Sequence, residues 1–235
     1  CICTTCTSAA RDASNAALLL DGLRDLGLEP QVIPGEVEAR LTFFGVAHDF
    51  AGERIIVADS GGGSTELATG VYAPERGVFA LEGTRSLDIG CRRVTERFFS
   101  ALPPSTNEAC GLLPAGQTSS LRATLRVCLS TLSVPSAWSR WVVRSRRSWH
   151  SFTSWSRMIR ALCTCASFRW YQVSAAIERM SMLDADGIAA LPGVQPKRAG
   201  VILAGAVVIR ELMRAGGYKT LTVSENSLLA GMAAT

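Results

Sequence analysis

The sequence Arg54-Ile-Ile-Val-Ala-Asp-Ser-Gly-Gly-Gly-Ser-Thr-Glu-Leu67 decides the fold that we expect for this chain. Its β-branched apolar run predicts a short strand ending at Asp59, the three glycines predict a tight turn, and the alternation after Ser64 predicts a second strand. Glycines let backbone N–H groups approach an anion closely, so the turn is typical of a phosphate-binding loop. Carboxylates on both sides of the loop, Asp59 and Glu66, would hold a divalent cation or order a water.

The string Asp-x-Gly-Gly-Gly-Ser-Thr-Glu-Leu, which begins at Asp59, closely resembles the phosphate-binding sequence of the exopolyphosphatase / guanosine pentaphosphate phosphohydrolase (Ppx/GppA) family. A glycine triplet alone would indicate only a flexible hairpin turn. The resemblance implies an α/β fold of the actin-like ATPase (RNase H-like) type, with a mixed sheet flanked by helices and an incomplete first domain. It also implies a role in phosphate binding for the loop residues Gly61, Gly62, Gly63 and Ser64. Ser60 departs from the family, which usually has Ile there.

Near the N-terminus, the segment Thr7-Ser-Ala-Ala-Arg-Asp-Ala13 precedes a helix that the leucine spacing predicts over residues 16–26. On its residues alone, Arg11 is typical of a solvated charge near a helix cap. The segment resembles the Thr-Ser-Ala-x-Arg-(Asp/Glu)-Ala segment of the family. This resemblance implies that Arg11, together with Ser8, contacts the phosphates of the substrate.

A second helix is predicted from Glu36 to His48, after Pro34 and Gly35. Acidic residues in a first helical turn suit the helix dipole, which is the simpler interpretation of Glu36 and Glu38. The family, however, has Ser-Gly-x-Glu-Glu-Ala-Arg at this point, and its proposed general base is the Glu before Ala-Arg. The resemblance therefore implies that Glu38 takes a proton from the water that attacks a terminal phosphoryl group.

The C-terminal part of the chain contains further family resemblances. Residues 191–202 resemble the segment Leu-Pro-Gly-x-x-Pro-x-Arg-Ala-x-x-Ile, and residues 224–232 resemble the closing Ser-Glu-x-x-Leu-x-x-Gly segment. Between them we predict an apolar helix over residues 202–213 and a buried strand over residues 220–223. Residues 65–72, 78–81 and 86–89 are predicted to form an antiparallel meander, and residues 90–99 a helix behind it.

The net charge of +4 conceals an uneven distribution. Residues 109–177 contain nine arginines, all five tryptophans and thirteen serines, but no acidic residue and no lysine. The rest of the chain has 15 basic and 20 acidic residues, so it is mildly acidic. The block shows no sustained period of 3.6 or 2, and we therefore predict no elements in it.

Residues 109–177 have three alternative interpretations. A basic segment with interleaved aromatics is typical of nucleic-acid binding, whereas a disordered insertion would hold fewer tryptophans. A third hypothesis is translation in a shifted reading frame. Codons that start two bases later turn Met158-Ile159 into Asp, Trp141-Val142 into Gly and Trp149-His150 into Ala. In that frame residues 142–151 can encode Gly-Thr-Val-Thr-Ser-Leu-Val-Ala-Leu, which resembles the second phosphate-side segment of the family.

We expect two domains: residues 1–53 as the C-terminal remnant of a first actin-like domain, and residues 54–235 as the second. No Asp-x-Gly-Ser phosphate loop precedes Arg11, and the chain of 235 residues starts with Cys1 rather than Met, so we expect a fragment. No apolar run approaches the roughly 18–20 residues of a membrane span, and no signal sequence is recognised. A cytoplasmic location is the resulting expectation. The eight cysteines show no zinc-type spacing.

The sequence thus predicts a phosphohydrolase that removes the terminal phosphate of polyphosphate or guanosine pentaphosphate with Mg²⁺. Neither a membrane nor a nucleic acid is an expected partner, and a homodimer is a candidate assembly. The predicted site has Glu38 and Glu66 as catalytic residues and Asp59 and Glu66 as metal ligands. A catalytically inactive member of the family and an actin-like ATP-binding kinase or ATPase domain are the alternatives. The kinase families have no counterpart of Glu38-Ala-Arg at this spacing.

Overall fold

The structure is a computed structural model that describes residues 2–99, 140–144 and 167–234. Its strands are β1 (Thr4–Cys6), β2 (Pro30–Val32), β3 (Arg54–Ser60), β4 (Thr65–Ala73), β5 (Val78–Leu87), β6 (Arg140–Arg144), β7 (Ser167–Arg169) and β8 (Thr220–Ser224). Its helices are α1 (Ser8–Asp12), α2 (Ala16–Asp25), α3 (Gly35–Ala47), α4 (Cys91–Phe98), α5 (Trp170–Ser181), α6 (Ala185–Ala189), α7 (Ala199–Ala215) and α8 (Leu228–Ala234).

A six-stranded mixed sheet has the order β5-β4-β3-β6-β8-β7. Strands β3, β4 and β5 pair antiparallel, whereas β6 is parallel to both β3 and β8. The short strands β1 and β2 form a separate parallel pair. The parallel centre of the large sheet explains why β3 is an almost continuous apolar run, since parallel strands have both faces covered.

Helices cover both faces of the large sheet. Ile55 and Val57 of β3 pack with α3, where Phe43 is fully buried. The alternate residues Ile56 and Ala58 pack on the opposite face with α4, α5, α6 and the long apolar α7. Because successive side chains of a strand point to opposite faces, β3 joins two separate cores. One of these faces carries α3 and therefore Glu38.

Helices α3 and α8 cross at two glycines. A Cβ atom on Gly45 would overlap the carbonyl oxygen of Ser227, and one on Gly231 would overlap that of Leu41. Next to the crossing, Asp49 accepts hydrogen bonds of 2.8 Å from Ser224 and from the side chain of Asn226. The C-terminal helix is thus fixed against the helix that carries Glu38.

The elements agree with the prediction except in two places. Residues 78–87 form one long strand, so the expected separate strand at 86–89 does not form, and Ile89 instead follows the end of β5. Regular structure also lies inside the block of residues 109–177, where we predicted none: it contains β6 and β7, and α5 begins at Trp170. Residues 109–139 and 145–166, to which most of the shifted-frame hypothesis applies, lie outside the described residues.

Among the described residues, none of the helices combines the length and hydropathy that membrane crossing requires.

Candidate functional site

Three side chains form a row across β3, β4 and β5, next to the glycine loop. Asp59 pairs directly with Glu66, and Glu66 pairs directly with Ser86 in the registers of the two antiparallel ladders. Directly opposite residues have Cβ atoms about 4.5–5.5 Å apart and share one face of the sheet. Both carboxylates are buried, and the Ser86 hydroxyl donates to Glu66 Oε1 at 2.9 Å. The row lies on the face that α3 covers.

The charged form of Glu66 is disfavoured at this position. Burial, and next the negative charge of Glu38, raise the pKa of Glu66 from 4.5 to about 7. The charge of Asp59 acts in the same direction, while hydrogen bonds from Ser64 and Ser86 oppose the shift. Three carboxylates therefore influence one another at the end of the loop, and a cation there would relieve their repulsion.

Helix α3 positions Glu38 against this row. Glu38 lies in its first turn and is only 7% exposed. The preceding Gly35 leaves no space for a side chain, because a Cβ atom there would overlap the side chain of Ser86. The helix therefore starts directly on the sheet, and the base predicted from the sequence faces the carboxylate row.

Arg11 links α1 to α3. Its Nη1 atom donates to the carbonyl oxygen of Ile33 at 2.6 Å and to Glu38 Oε2 at 3.4 Å. The side chain is 24% exposed, so part of the guanidinium remains accessible. The structure thus places the predicted phosphate-binding arginine beside the predicted base.

The carbonyl groups of the glycine loop all point towards α4. Gly61 O accepts from Cys91 N at 2.9 Å, and Gly62 O accepts from Arg92 N at 3.0 Å and from Arg93 N at 3.2 Å. Gly63 O accepts from Arg93 Nε at 2.9 Å. In a planar trans peptide the N–H group points opposite to the C=O group.

The amides that follow these carbonyls, those of Gly62, Gly63 and Ser64, therefore face away from α4. Gly61 N is used within the turn itself, where it donates to Ser64 O at 2.8 Å. Three of the four predicted phosphate-binding amides are thus oriented together, and the fourth closes the loop.

Ser8 lies close to Gly63 of the loop. Its hydroxyl oxygen would be 2.5 Å from a Cβ atom on Gly63, which shows how closely α1 approaches the loop. The hydroxyl donates to Asp12 Oδ2 at 3.2 Å. The structure thus brings the site residues predicted in residues 1–53 close to the site residues predicted in the loop.

The donor set at this cluster fits a hard divalent cation. Mg²⁺ is usually bound by one or two carboxylates together with water and substrate phosphates, rather than by a complete protein cage. Asp59 and Glu66 provide two opposed buried carboxylates. Within residues 2–99, 140–144 and 167–234, no group of three or more His, Cys, Asp or Glu side chains is placed to hold a metal ion.

A cavity of about 320 Å³ borders the same loop. Its polar wall consists of loop residues with Arg92, Lys197 and Arg198, and its apolar wall includes Val201 and Ile202 of α7. Among the described residues, three cationic residues and no acidic residue line the cavity, so it is suited to an anion. Of the residues that line this cavity, the sequence assigned only Gly61 and Gly62 to the site.

Some of the residues that the sequence interpretation missed lie in recognisable motifs, whereas Ser86 does not. Lys197 and Arg198 lie in the Pro-x-Arg segment, and Arg93 lies in the segment after Gly90, so their motifs were visible without a role. Ser86 had no signal in the sequence. Its position beside Glu66 depends on the β4–β5 register, which shifts between Thr69 and Gly70.

Comparison with known proteins gives consistent results. The model of the Ppx/GppA phosphatase family matches residues 1–234. Exopolyphosphatase 2 of Mycobacterium tuberculosis is 32% identical over 250 residues, which cover 97% of this chain and 72% of that protein. Exopolyphosphatase 1 of the same species is 31% identical over 241 residues, or 96% of this chain and 64% of that protein.

Among solved structures, the Ppx/GppA family member from Aquifex aeolicus has a TM-score of 0.75 at 24% identity, over 97% of this chain and 71% of that one. The likeness confirms the predicted actin-like α/β fold.

Proposed function

The chain belongs to the Ppx/GppA phosphatase family, and on that premise we propose that it hydrolyses the terminal phosphoanhydride bond of inorganic polyphosphate. The observation that carries this proposal is the convergence of Glu38, Arg11 and the oriented amides of the glycine loop. The two mycobacterial relatives are named exopolyphosphatases, which supports polyphosphate as the substrate.

In the proposed reaction, the amides of Gly62, Gly63 and Ser64 and the guanidinium of Arg11 bind the terminal phosphoryl group. Donors that are fixed before the reaction stabilise the charge that develops in the transition state. Glu38 accepts a proton from a water, the water oxygen bonds to the terminal phosphorus, and the bridging oxygen leaves with the shortened chain. The products are orthophosphate and polyphosphate that is one unit shorter.

We propose that Asp59 and Glu66 hold Mg²⁺ in this site. When bound, the ion neutralises phosphate charge. Glu66 is the second catalytic residue in this proposal, because it lies directly opposite Asp59 and would hold the ion together with it. The division into residues 1–53 and 54–235 is part of the same proposal, since Ser8, Arg11 and Glu38 come from the first part and the loop comes from the second.

Guanosine pentaphosphate is a second candidate substrate. The cavity beside the loop has an apolar wall, which includes Val201 and Ile202, opposite its cationic residues. An apolar wall suits a nucleoside base, while the cations suit phosphates.

Phosphate release from long-chain polyphosphate in the presence of Mg²⁺ tests the proposed function. The Glu38→Gln variant should lower kcat about 10²–10⁴-fold, the usual contribution of a general base. Glu36→Gln is the matched control, because Glu36 lies in the same helical turn but is exposed. It should retain the activity of the unmodified chain.

Equal rates for Glu38→Gln and Glu36→Gln would exclude Glu38 as the base. Absence of phosphate release from the unmodified chain would contradict hydrolysis and favour an inactive member of the family. Guanosine pentaphosphate assayed in parallel ranks the two substrates by kcat/KM.

A further inference from the structure

Arg93 connects two parts of the site, although it lies on α4 behind the loop. Its Nε atom donates to Gly63 O at 2.9 Å, and its Nη2 atom donates to Asp12 Oδ2 at 2.7 Å. We infer that Arg93 is a positioning residue that sets the direction of the Ser64 amide and holds α1 against the phosphate loop. This inference rests on the proposed function of the loop as a phosphate-binding element.

The three peptide units of the loop are held in two different ways. Carbonyls of Gly61 and Gly62 are held by backbone amides of α4, which remain in place whatever the side chains are. The carbonyl of Gly63 is held by a side chain, that of Arg93. Because C=O and N–H of one unit point in opposite directions, the Arg93 guanidinium determines where the Ser64 N–H points.

Arg93 also contacts α1 through Asp12. Asp12 Oδ2 accepts hydrogen bonds from Arg93 and from Ser8 Oγ, at 2.7 and 3.2 Å. Asp12 directly follows Arg11 in the chain, so a contact that fixes Asp12 also restricts where Arg11 is placed. A planar guanidinium can make both contacts at once with fixed geometry, whereas a lysine ammonium is a point charge on a flexible stem.

The effect of this contact on positioning can be separated from its effect on stability. The Arg93–Asp12 pair is half exposed, with 42% and 45% of the two side chains accessible. Exposed ion pairs contribute little to folding stability because water and salt screen them. Loss of this pair should therefore change the affinity and reactivity towards phosphate, while leaving the melting temperature nearly unchanged.

Substitutions at Arg93 test the inference in two assays, with Arg97→Lys as the control. Arg97 is exposed in the last turn of the same helix, where its guanidinium lies 5.4 Å from the ring of Phe98. Arg93→Ala should lower kcat/KM for polyphosphate about 10²-fold, as removal of one oriented donor does. It should also weaken the equilibrium binding of inorganic tripolyphosphate, measured by calorimetry. Arg93→Lys should recover part of the loss, and added guanidinium chloride should partly restore Arg93→Ala.

Asp12→Asn provides a coupling test. It should lower tripolyphosphate affinity in the unmodified chain but have little further effect in Arg93→Ala, since the two residues act through one contact. Tripolyphosphate affinities equal for Arg93→Ala and Arg97→Lys would overturn the inference. So would a melting temperature that falls in proportion to the loss of affinity. Binding without any turnover by the unmodified chain would refute the proposed hydrolysis, yet the binding comparison would still decide the role of Arg93.

Discussion

Glu66 is a buried carboxyl group that faces two other carboxylates, and its protonation links the site to stability. The folded protein holds the proton of Glu66 more tightly than the unfolded chain does, because the pKa rises from 4.5 to about 7 on folding. The favourable contribution of this proton is complete below pH 4.5. It is lost as the pH rises through 7, since ionisation then occurs in a buried site.

We therefore expect the free energy of unfolding in metal-free buffer to fall by about 3 kcal/mol from this group between pH 4.5 and 8. Glu66→Gln removes the titration and keeps an acceptor for the Ser86 hydroxyl. Its unfolding free energy, measured by urea denaturation at several pH values, should lack this part of the decline. Glu75→Gln, a change at an exposed position, should follow the unmodified chain. Parallel curves for all three proteins would show that Glu66 does not titrate in this range.

Helix α4 and the phosphate loop are packed so closely that the residue between them must be glycine. A Cβ atom on Gly90 would overlap Gly62 O and lie 2.6 Å from the carbonyl carbon of Gly63. The backbone of Gly90 has a φ of −124°, so the restriction is one of space and not of backbone strain. The loop can approach α4 only because neither partner has a side chain at this point.

Gly90→Ala should displace the Gly62–Gly63 peptide, cost about 1–3 kcal/mol of stability and lower kcat/KM for polyphosphate. Gly22→Ala is the contrasting change, since nothing lies within 4 Å of a Cβ atom at this helical position. It should leave activity unchanged and stabilise the protein by up to about 1 kcal/mol. Thermal unfolding and phosphate release measured on both variants check the prediction. Full activity in Gly90→Ala would mean that the loop does not depend on this packing.

At the scale of the whole molecule, ligand binding and folding are coupled. Mg²⁺ at about 100 times its dissociation constant stabilises a protein by about 2.7 kcal/mol when only the folded state binds it. Because Glu66 must lose its proton to bind a cation, Mg²⁺ should raise the melting temperature more at pH 8 than at pH 6. Asp59→Asn should reduce both increases. An equal increase for Asp59→Asn and the unmodified chain would place the ion elsewhere.

Much of the fold could be predicted from the sequence. Sequence patterns decide the type of three elements: the apolar run of β3, the alternation of β4 and the long apolar stretch of α7. The structure contains all three elements. The strand order could not be predicted in the same way. Its central strand β6 lies in the block of residues 109–177, where no period is visible, and pairing between distant strands leaves no local pattern.

The site was predictable only where a motif or a spacing marked it. Asp59 and Glu66 flank the glycines, and the two-residue period of an antiparallel pair places them opposite each other. Glu38, by contrast, could be distinguished from a helix-capping acid only through the family resemblance. Arg93 and Ser86 depend on how α4 and β5 pack against the loop, and such contacts follow from tertiary structure rather than from local sequence.

The glycine crossing of α3 and α8 also has a consequence for folding. It joins residues 41–45 to residues 227–231, so almost 190 residues of chain separate its two sides. Contacts between such distant segments are slow to form, because loop closure must precede any gain from packing. During synthesis this crossing cannot form until residue 231 has left the ribosome. The helix that carries Glu38 therefore packs against α8 late in folding. We expect the Gly45 amide to be among the last amides to gain protection from hydrogen exchange during refolding.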